Sequence, residues 1–230
     1  MGTLALKAKL ESVLGGPVFS VRQKLKPETA STGIAEVDLL CDGGIPRGSV
    51  TEIAGPASSG RTTLFHSILA RMTQRGEICA LVDASDSFDP VSAAAAGVVL
   101  DRLLWVRCSN QEQSYKNNAL RVTDLLLQNG GWGMIALDLG NVEPKDVRRI
   151  PLNAWHRFRL AVENKPTIFL IIGQEPYATS CSSLVLDTKK VSTRWSGLRM
   201  SGAVFQAGRR KPPGHAGASF AAAAWRQVCE

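Results

Sequence analysis

The stretch Gly55-Pro56-Ala57-Ser58-Ser59-Gly60-Arg61-Thr62-Thr63 constrains this chain more than any other. It has the spacing of a phosphate-binding P-loop, G-x-x-x-x-G-K-[ST], with Arg61 in the lysine position. Ser49-Val50-Thr51-Glu52-Ile53-Ala54 before it alternates and is β-prone, whereas Leu64, Ile68, Leu69 and Met72 after it recur at helical spacing. A strand running through such a loop into a helix is the opening unit of a parallel α/β sheet. Glycines at both ends let successive backbone N–H groups curl around phosphate oxygens at a helix N-terminus. Gly55, Ser58, Ser59, Gly60, Arg61, Thr62 and Thr63 are therefore candidate nucleotide-binding residues, with the Thr62 hydroxyl placed to ligand Mg2+.

Short apolar runs then alternate with helical stretches. Strands are expected at 78–82, 103–106, 134–137 and 167–173, with helices near 89–97, 113–128 and 148–163. Beyond Gln174 the rhythm changes: 183–188 and 198–207 read as strands without intervening helices, an antiparallel edge. The expected fold is α/β, a P-loop domain with a mainly parallel central sheet and an antiparallel C-terminal edge. Residues 1–32 are expected to be a short helix (3–14) and a linker, 33–207 the core, and 208–230 a basic tail whose segment 208–217 is a turn-rich loop.

A second carboxylate fits the nucleotide reading. Met134-Ile135-Ala136-Leu137-Asp138 is an apolar strand ending in aspartate, the pattern that holds a Mg2+ shell at the C-terminal end of a parallel strand. Other chemistries lack support. His66, His156 and His215 have no partners at metal-ligand spacing, and no nucleophile motif is present. The five cysteines form no C-x-x-C pair and read as reduced thiols in a cytoplasmic protein. No apolar run is long enough to span a bilayer. The net charge of +7 favours anionic partners. Arg148, Arg149, Arg157 and Arg159, interleaved with Trp155 and Phe158, have the composition of a single-stranded DNA platform. They equally fit a solvated helix face with a core-facing tryptophan.

Thr32-Gly33-Ile34, Asp38, Gly43-Gly44-Ile45-Pro46-Arg47-Gly48, Thr51-Glu52-Ile53, the P-loop, Leu81-Val82-Asp83-Ala84 and Phe88-Asp89-Pro90 together resemble the entry to the core of RecA-family recombinase ATPases. Ile171-Ile172-Gly173-Gln174 resembles the strand ending in the glutamine that senses γ-phosphate and couples it to DNA. The resemblance covers about 32–190 and is densest before Asp138. It implies ATP and Mg2+ as cofactors, and adds Gln174 to the candidate nucleotide residues.

The departures from the family matter as much. The P-loop lysine is Arg61, and the strand that ends Asp-Ala-Glu in the family ends Asp83-Ala84-Ser85 here, leaving Asp86 as the nearest acid. A short RecA-like chain with a degraded hydrolysis site resembles ImuA, the accessory proteins of bacterial translesion-mutagenesis cassettes. That resemblance implies a scaffold role in DNA-damage tolerance, with no catalytic residues of its own. Its expected partners are a translesion polymerase complex or its adaptor, RecA, and single-stranded DNA, with residues 190–230 docking the protein partner. Two alternatives stay open: a DNA-stimulated ATPase using Asp86 as base, and a pure interaction protein of the SulA kind, which is RecA-like but lacks a P-loop.

Overall fold

The computed structural model describes residues 12–13, 28–108, 115–213 and 217–223. Almost all of the expected helix at 3–14, and the linker up to 27, lie outside the described residues, as do 224–230 of the expected tail.

Eight strands form one sheet, and its spine is built from sequence runs that are apolar on both faces. These are β3 (Ser49–Ala54), β4 (Cys79–Asp83), β6 (Met134–Asp138) and β7 (Ile168–Gly173). Alternation within each run feeds two cores. Ile168, Leu170 and Ile172 face one, while Phe169 and Ile171 face the other. The first core is capped by α1 (Ala35–Leu40), α2 (Arg61–Gln74) and α3 (Pro90–Ala95). The second is capped by α4 (Tyr115–Gln128), α5 (Pro144–Val147) and α6 (Leu152–Val162). Two short strands, β1 (Thr29–Ala30) and β2 (Ile45–Pro46), pair separately. Thr32, expected in the linker, is fully buried, and its hydroxyl and N–H both donate to Asp38. No described helix is long and apolar enough to cross a membrane.

With β5 (Leu103–Arg107), β8 (Leu184–Ser196), β9 (Arg199–Lys211) and β10 (Ala218–Ala223), the sheet order is β10-β9-β8-β3-β7-β6-β4-β5. The strands from β8 to β5 are all parallel; β9 runs antiparallel to both β8 and β10. The central sheet and its antiparallel edge are as the sequence led us to expect. Four details differ. First, β8 is not an antiparallel edge strand but lies parallel to β3, on the side opposite β7. Second, the expected boundary at 207/208 falls inside β9, and β10 continues the sheet, so 208–223 is not a tail. Third, the expected loop at 208–217 shrinks to the few residues between β9 and β10, of which 214–216 lie outside the described residues. Fourth, the helix expected at 148–163 starts only at Leu152, because Pro151 takes extended backbone as the N-cap of α6, and the short α5 precedes it.

The parallel placement of β8 needs a return crossover, normally a dozen residues with a helix. Here residues 174–183 suffice. Gly173 pairs with Ala54 and Leu184 with Thr51, so the chain retraces only three residues, about 10 Å at ~3.3 Å each. The crossover is fastened by a buried acid. Glu52, 1% exposed on β3, accepts hydrogen bonds from the Tyr177 N–H (2.6 Å), the Ala178 N–H (3.0 Å) and the Ser182 hydroxyl. A buried carboxylate is tolerated because these donors replace its water.

Glu52→Gln should therefore destabilise the fold by about 3 kcal/mol, because an amide N–H2 would face donors already in place. Urea unfolding measures this, and an unchanged midpoint would contradict the assignment.

Candidate nucleotide site

The P-loop leaves β3 directly. The Gly55 N–H donates to Gly173 O (3.3 Å), tying the first loop residue to β7. Ser58 and Gly60 take left-handed backbone conformations, with φ of 59° and 93°. Gly60 is the N-cap of α2 and offers its first turn no side-chain acceptor. The first-turn N–H groups of a helix have no intrahelical partner, which suits them to an anion. Ser58 and Thr62 are exposed, Thr63 is half-buried, and Ser59 is 2% exposed.

Both glycines are also required from outside the loop. A Cβ on Gly55 would lie 2.5 Å from Thr188 O, and one on Gly60 would lie 2.5 Å from Phe205 Cγ. The Thr188 and Ser59 hydroxyls share a hydrogen bond of 2.8 Å, and Thr188 also donates to Ala54 O (3.2 Å). Strands β8 and β9 thus buttress the P-loop. Thr188 and Phe205 are site residues that the sequence reasoning missed. Nothing in the P-loop spacing points to them, since they come from strands more than a hundred residues downstream.

Arg61 is buried, and its guanidinium donates from both terminal nitrogens to Gly140 O (3.3 Å each), across the sheet and just past β6. Asp138 stands beside it at the end of β6, and its Oδ1 accepts the Gly140 N–H (2.8 Å). Burial pushes the Asp138 carboxyl up to about 6; the neighbouring Asp83 charge adds to that, while the Gly140 N–H and Arg61 oppose it. Burial likewise lowers the Arg61 pKa, countered by Asp138 and Tyr177. Gln174, just past β7, donates to Val142 O (3.3 Å) on the loop that also carries Gly140. Arg61, Asp138 and Gln174 therefore converge on one loop, residues 139–143. Tyr177 lies near enough to Arg61 to feel its charge, and its buried hydroxyl has no hydrogen-bond partner. It is a third residue the sequence reasoning passed over.

The position that would carry a hydrolytic base holds no free carboxylate. Ser85 is half-buried, and its hydroxyl bonds to that of Ser87 (3.0 Å). Asp83 is fully buried, accepting from the Ser85, Ser87 and Phe88 N–H groups and from Trp105 Nε1, so it organises the turn. Asp86 does not extend the strand's alternation. β4 ends at Asp83, and Asp86, at φ 53°, forms a bidentate pair with Arg107 (2.7 Å for both bonds). That hydrogen bonding holds its carboxyl below the usual range, making it a poor base.

Three of the four arginines set out as a DNA platform are held in ion pairs, that of Arg148 with the residue after Gln174 and close enough for Arg148 to act on Tyr177. Arg148 pairs with Glu175 (2.5 Å), Arg149 with Asp146 (3.5 Å) and Arg157 with Asp124 (2.9 Å), while Arg159 is exposed. Trp155 and Phe158 are 2% and 0% exposed and pack in the second core, Phe158 edge-on to Phe169. They cannot stack on bases. His66 packs edge-on to Phe88, and burial lowers its pKa. Cys41, Cys79, Cys108 and Cys181 are free and buried.

The donor set fits MgATP in part. Thr62 and Asp138 offer hard oxygens, which Mg2+ takes together with phosphate oxygens and water. The Arg61 guanidinium, already placed beside Asp138, competes for the same negative charge. Backbone N–H groups, Thr62, Asp138 and the uncommitted Tyr177 hydroxyl would contact the nucleotide.

The RecA N-terminal domain family matches residues 7–146. Over 121 residues the chain is 43% identical to Protein RecA of Deinococcus radiodurans, covering 52% of this chain and 32% of that one. Over 166 residues it is 33% identical to Protein RecA of Chloroflexus aurantiacus, covering 66% and 46%. Over 138 residues it is 37% identical to Protein RecA of Rickettsia canadensis, covering 58% and 39%. The matches thus span between about a third and just under half of these relatives. The chain belongs to the RecA N-terminal domain family. The family match ends before β7, so the crossover, β8 and β9 lie beyond it.

The raised Asp138 pKa has a definite sign. The folded state holds this proton more tightly than the unfolded chain, so stability is lost as pH rises through about 6. Asp138→Asn removes that loss, and its Tm relative to wild type should be higher at pH 8 than at pH 5. Parallel Tm–pH curves would contradict the burial of this carboxyl.

Proposed function

We propose that this RecA-family chain is a nucleotide-binding accessory protein of DNA-damage tolerance whose hydrolysis is weak or absent. The observation that carries the nucleotide part is the engagement of Arg61 with Gly140 O beside Asp138. In that position the P-loop cation is spent on a backbone carbonyl beside the strand-end carboxylate, without an ion pair to it, rather than standing free for phosphate. Its planar fork is not interchangeable with an ammonium group. Binding is then left to the backbone N–H groups, Thr62 and Asp138.

Hydrolysis asks for more. When bound, ATP and Mg2+ supply the phosphoryl group and its charge compensation. The protein must orient a water and place a cation on the transferred group. Ser85 has no carboxylate to orient water, and Asp86 is held by Arg107. This weighs against a recombinase-type ATPase that recruits Asp86. The left-handed Ser58 and Gly60, kept at the spacing of a working P-loop, weigh against a purely vestigial site.

The accessory role rests on the resemblance to ImuA, carried by a RecA-like core with these substitutions at its hydrolysis site. Under this reading the partners are a translesion polymerase complex or its adaptor, RecA, and single-stranded DNA.

Isothermal titration with MgATP tests the assignment of Arg61. Wild type should bind weakly and Arg61→Lys about tenfold more tightly, roughly 1.4 kcal/mol. Arg61→Lys combined with Ser85→Glu should be needed before hydrolysis becomes appreciable. If Arg61→Lys binds no better than wild type, Arg61 does not limit the site.

A further inference from the structure

The second half of β8 and the first part of β9 leave the body of the sheet. β3 pairs with β8 only as far as Asp187, and β10 pairs with β9 only from Gly202 onward. Residues 188–194 are therefore a free edge of β8, paired only with Gly202–Ala207 of β9, and 195–201 continue it as a two-stranded tip closed at Gly197-Leu198; 188–201 together are the ribbon. Its apolar side chains have no partner face. Trp195 is 64% exposed, Leu198 100%, Val191 57% and Met200 48%, with Trp195 directly opposite Met200. Single exposed apolar residues need no explanation, but a cluster at the tip of a projecting ribbon marks a contact surface.

The charge on the ribbon has one sign. From Thr188 to Cys229 the sequence contains no Asp or Glu. Lys189, Lys190, Arg194 and Arg199 are exposed. Among the described residues no carboxylate pairs with any of the four, in contrast to Arg148, Arg149, Arg157, Arg209 and Arg210. The four are strung out lengthwise. Lys189 and Arg194 are five residues apart on β8, about 17 Å at ~3.3 Å per residue, and Arg199 lies across the ribbon opposite Ser196.

We propose that this ribbon binds single-stranded nucleic acid, with Lys189, Lys190, Arg194 and Arg199 on the phosphates and a base stacked on Trp195. A linear row of unpaired cations matches a linear polyanion, whereas the core of a protein interface is depleted of charge. The exposed indole selects the single strand, because unpaired bases offer π-faces that a duplex keeps stacked inside. The inference rests on the nucleic-acid part of the proposed function and moves the contact from the α5–α6 arginines to the ribbon.

Fluorescence anisotropy of a labelled oligothymidylate, titrated with the full chain at several salt concentrations, tests it. Trp195→Ala should weaken binding about tenfold or more, while Trp195→Phe keeps most of it. Lys189→Ala with Lys190→Ala should reduce the slope of log affinity against log salt by about 1.4, from ~0.7 per phosphate contact. Because these side chains are exposed, melting temperatures should stay at the wild-type value. Wild-type affinity and salt slope in these variants would overturn the ribbon site. This holds even if the ribbon proves to contact an acidic protein, or if Arg148→Ala with Arg149→Ala loses the DNA. In that last case the nucleic-acid reading survives with its site elsewhere. A wild-type chain that leaves the probe unbound at low salt would overturn both.

Discussion

The carboxylate of Glu52 decides where the last third of the chain can go. It sits in the middle of β3 with no solvent, and its donors all come from the β7–β8 crossover. An uncompensated charge in that place would be costly, so the crossover and the acid stabilise one another. Once the crossover is fastened, β8 has to lie along β3, and β9 follows it in an antiparallel hairpin. The hairpin then meets the P-loop, with Thr188 against Gly55 and Ser59 and Phe205 against Gly60. A P-loop is usually described by its own strand and helix. Here part of its wall is contributed by residues beyond the stretch shared with the RecA N-terminal domain family.

The same loop shows how one substitution redistributes charge. An arginine reaches further than a lysine and presents a fork of donors, and Arg61 spends that reach on Gly140 O across the sheet. Asp138 is left half-buried and without an ion pair among the described residues, its carboxyl pushed up to about 6. Arg61, Asp138 and Gln174 all bear on the loop after β6, so a bound nucleotide would act on one short segment rather than on separate elements. Tyr177 joins them from the crossover that Glu52 holds, which links the anchoring of the fold to the lining of the site.

The P-loop and the parallel core were legible because their signals are local and dense: a strand, two glycines at fixed spacing and a helical period within about 25 residues. The direction of β8 was not. Its crossover has only a single 3-10 turn, Thr179–Cys181, and no α-helix to announce a parallel return, and the residue that fastens it looks in sequence like one more alternating position of β3. Trp155 and Phe158 illustrate a different limit. Arginines interleaved with aromatics read the same whether the aromatics face bases or a core, and only the burial of Phe158 against Phe169 decides. In sequence Asp86 is simply the acid nearest the missing base. The strand ends at Asp83, and the carboxylate is tied to Arg107 on the neighbouring strand. Turn geometry, which sequence reports least well, set that outcome.

The central claim is that a nucleotide bound here is held and not turned over. The most direct measurement is a single-turnover experiment. Radiolabelled ATP and Mg2+ are loaded onto the wild-type chain with saturating single-stranded DNA, and the bound nucleotide is then recovered and separated over time. The account predicts that it comes back as ATP after many times the dissociation lifetime. Conversion to ADP on the timescale of binding, abolished in Asp138→Asn, would contradict it.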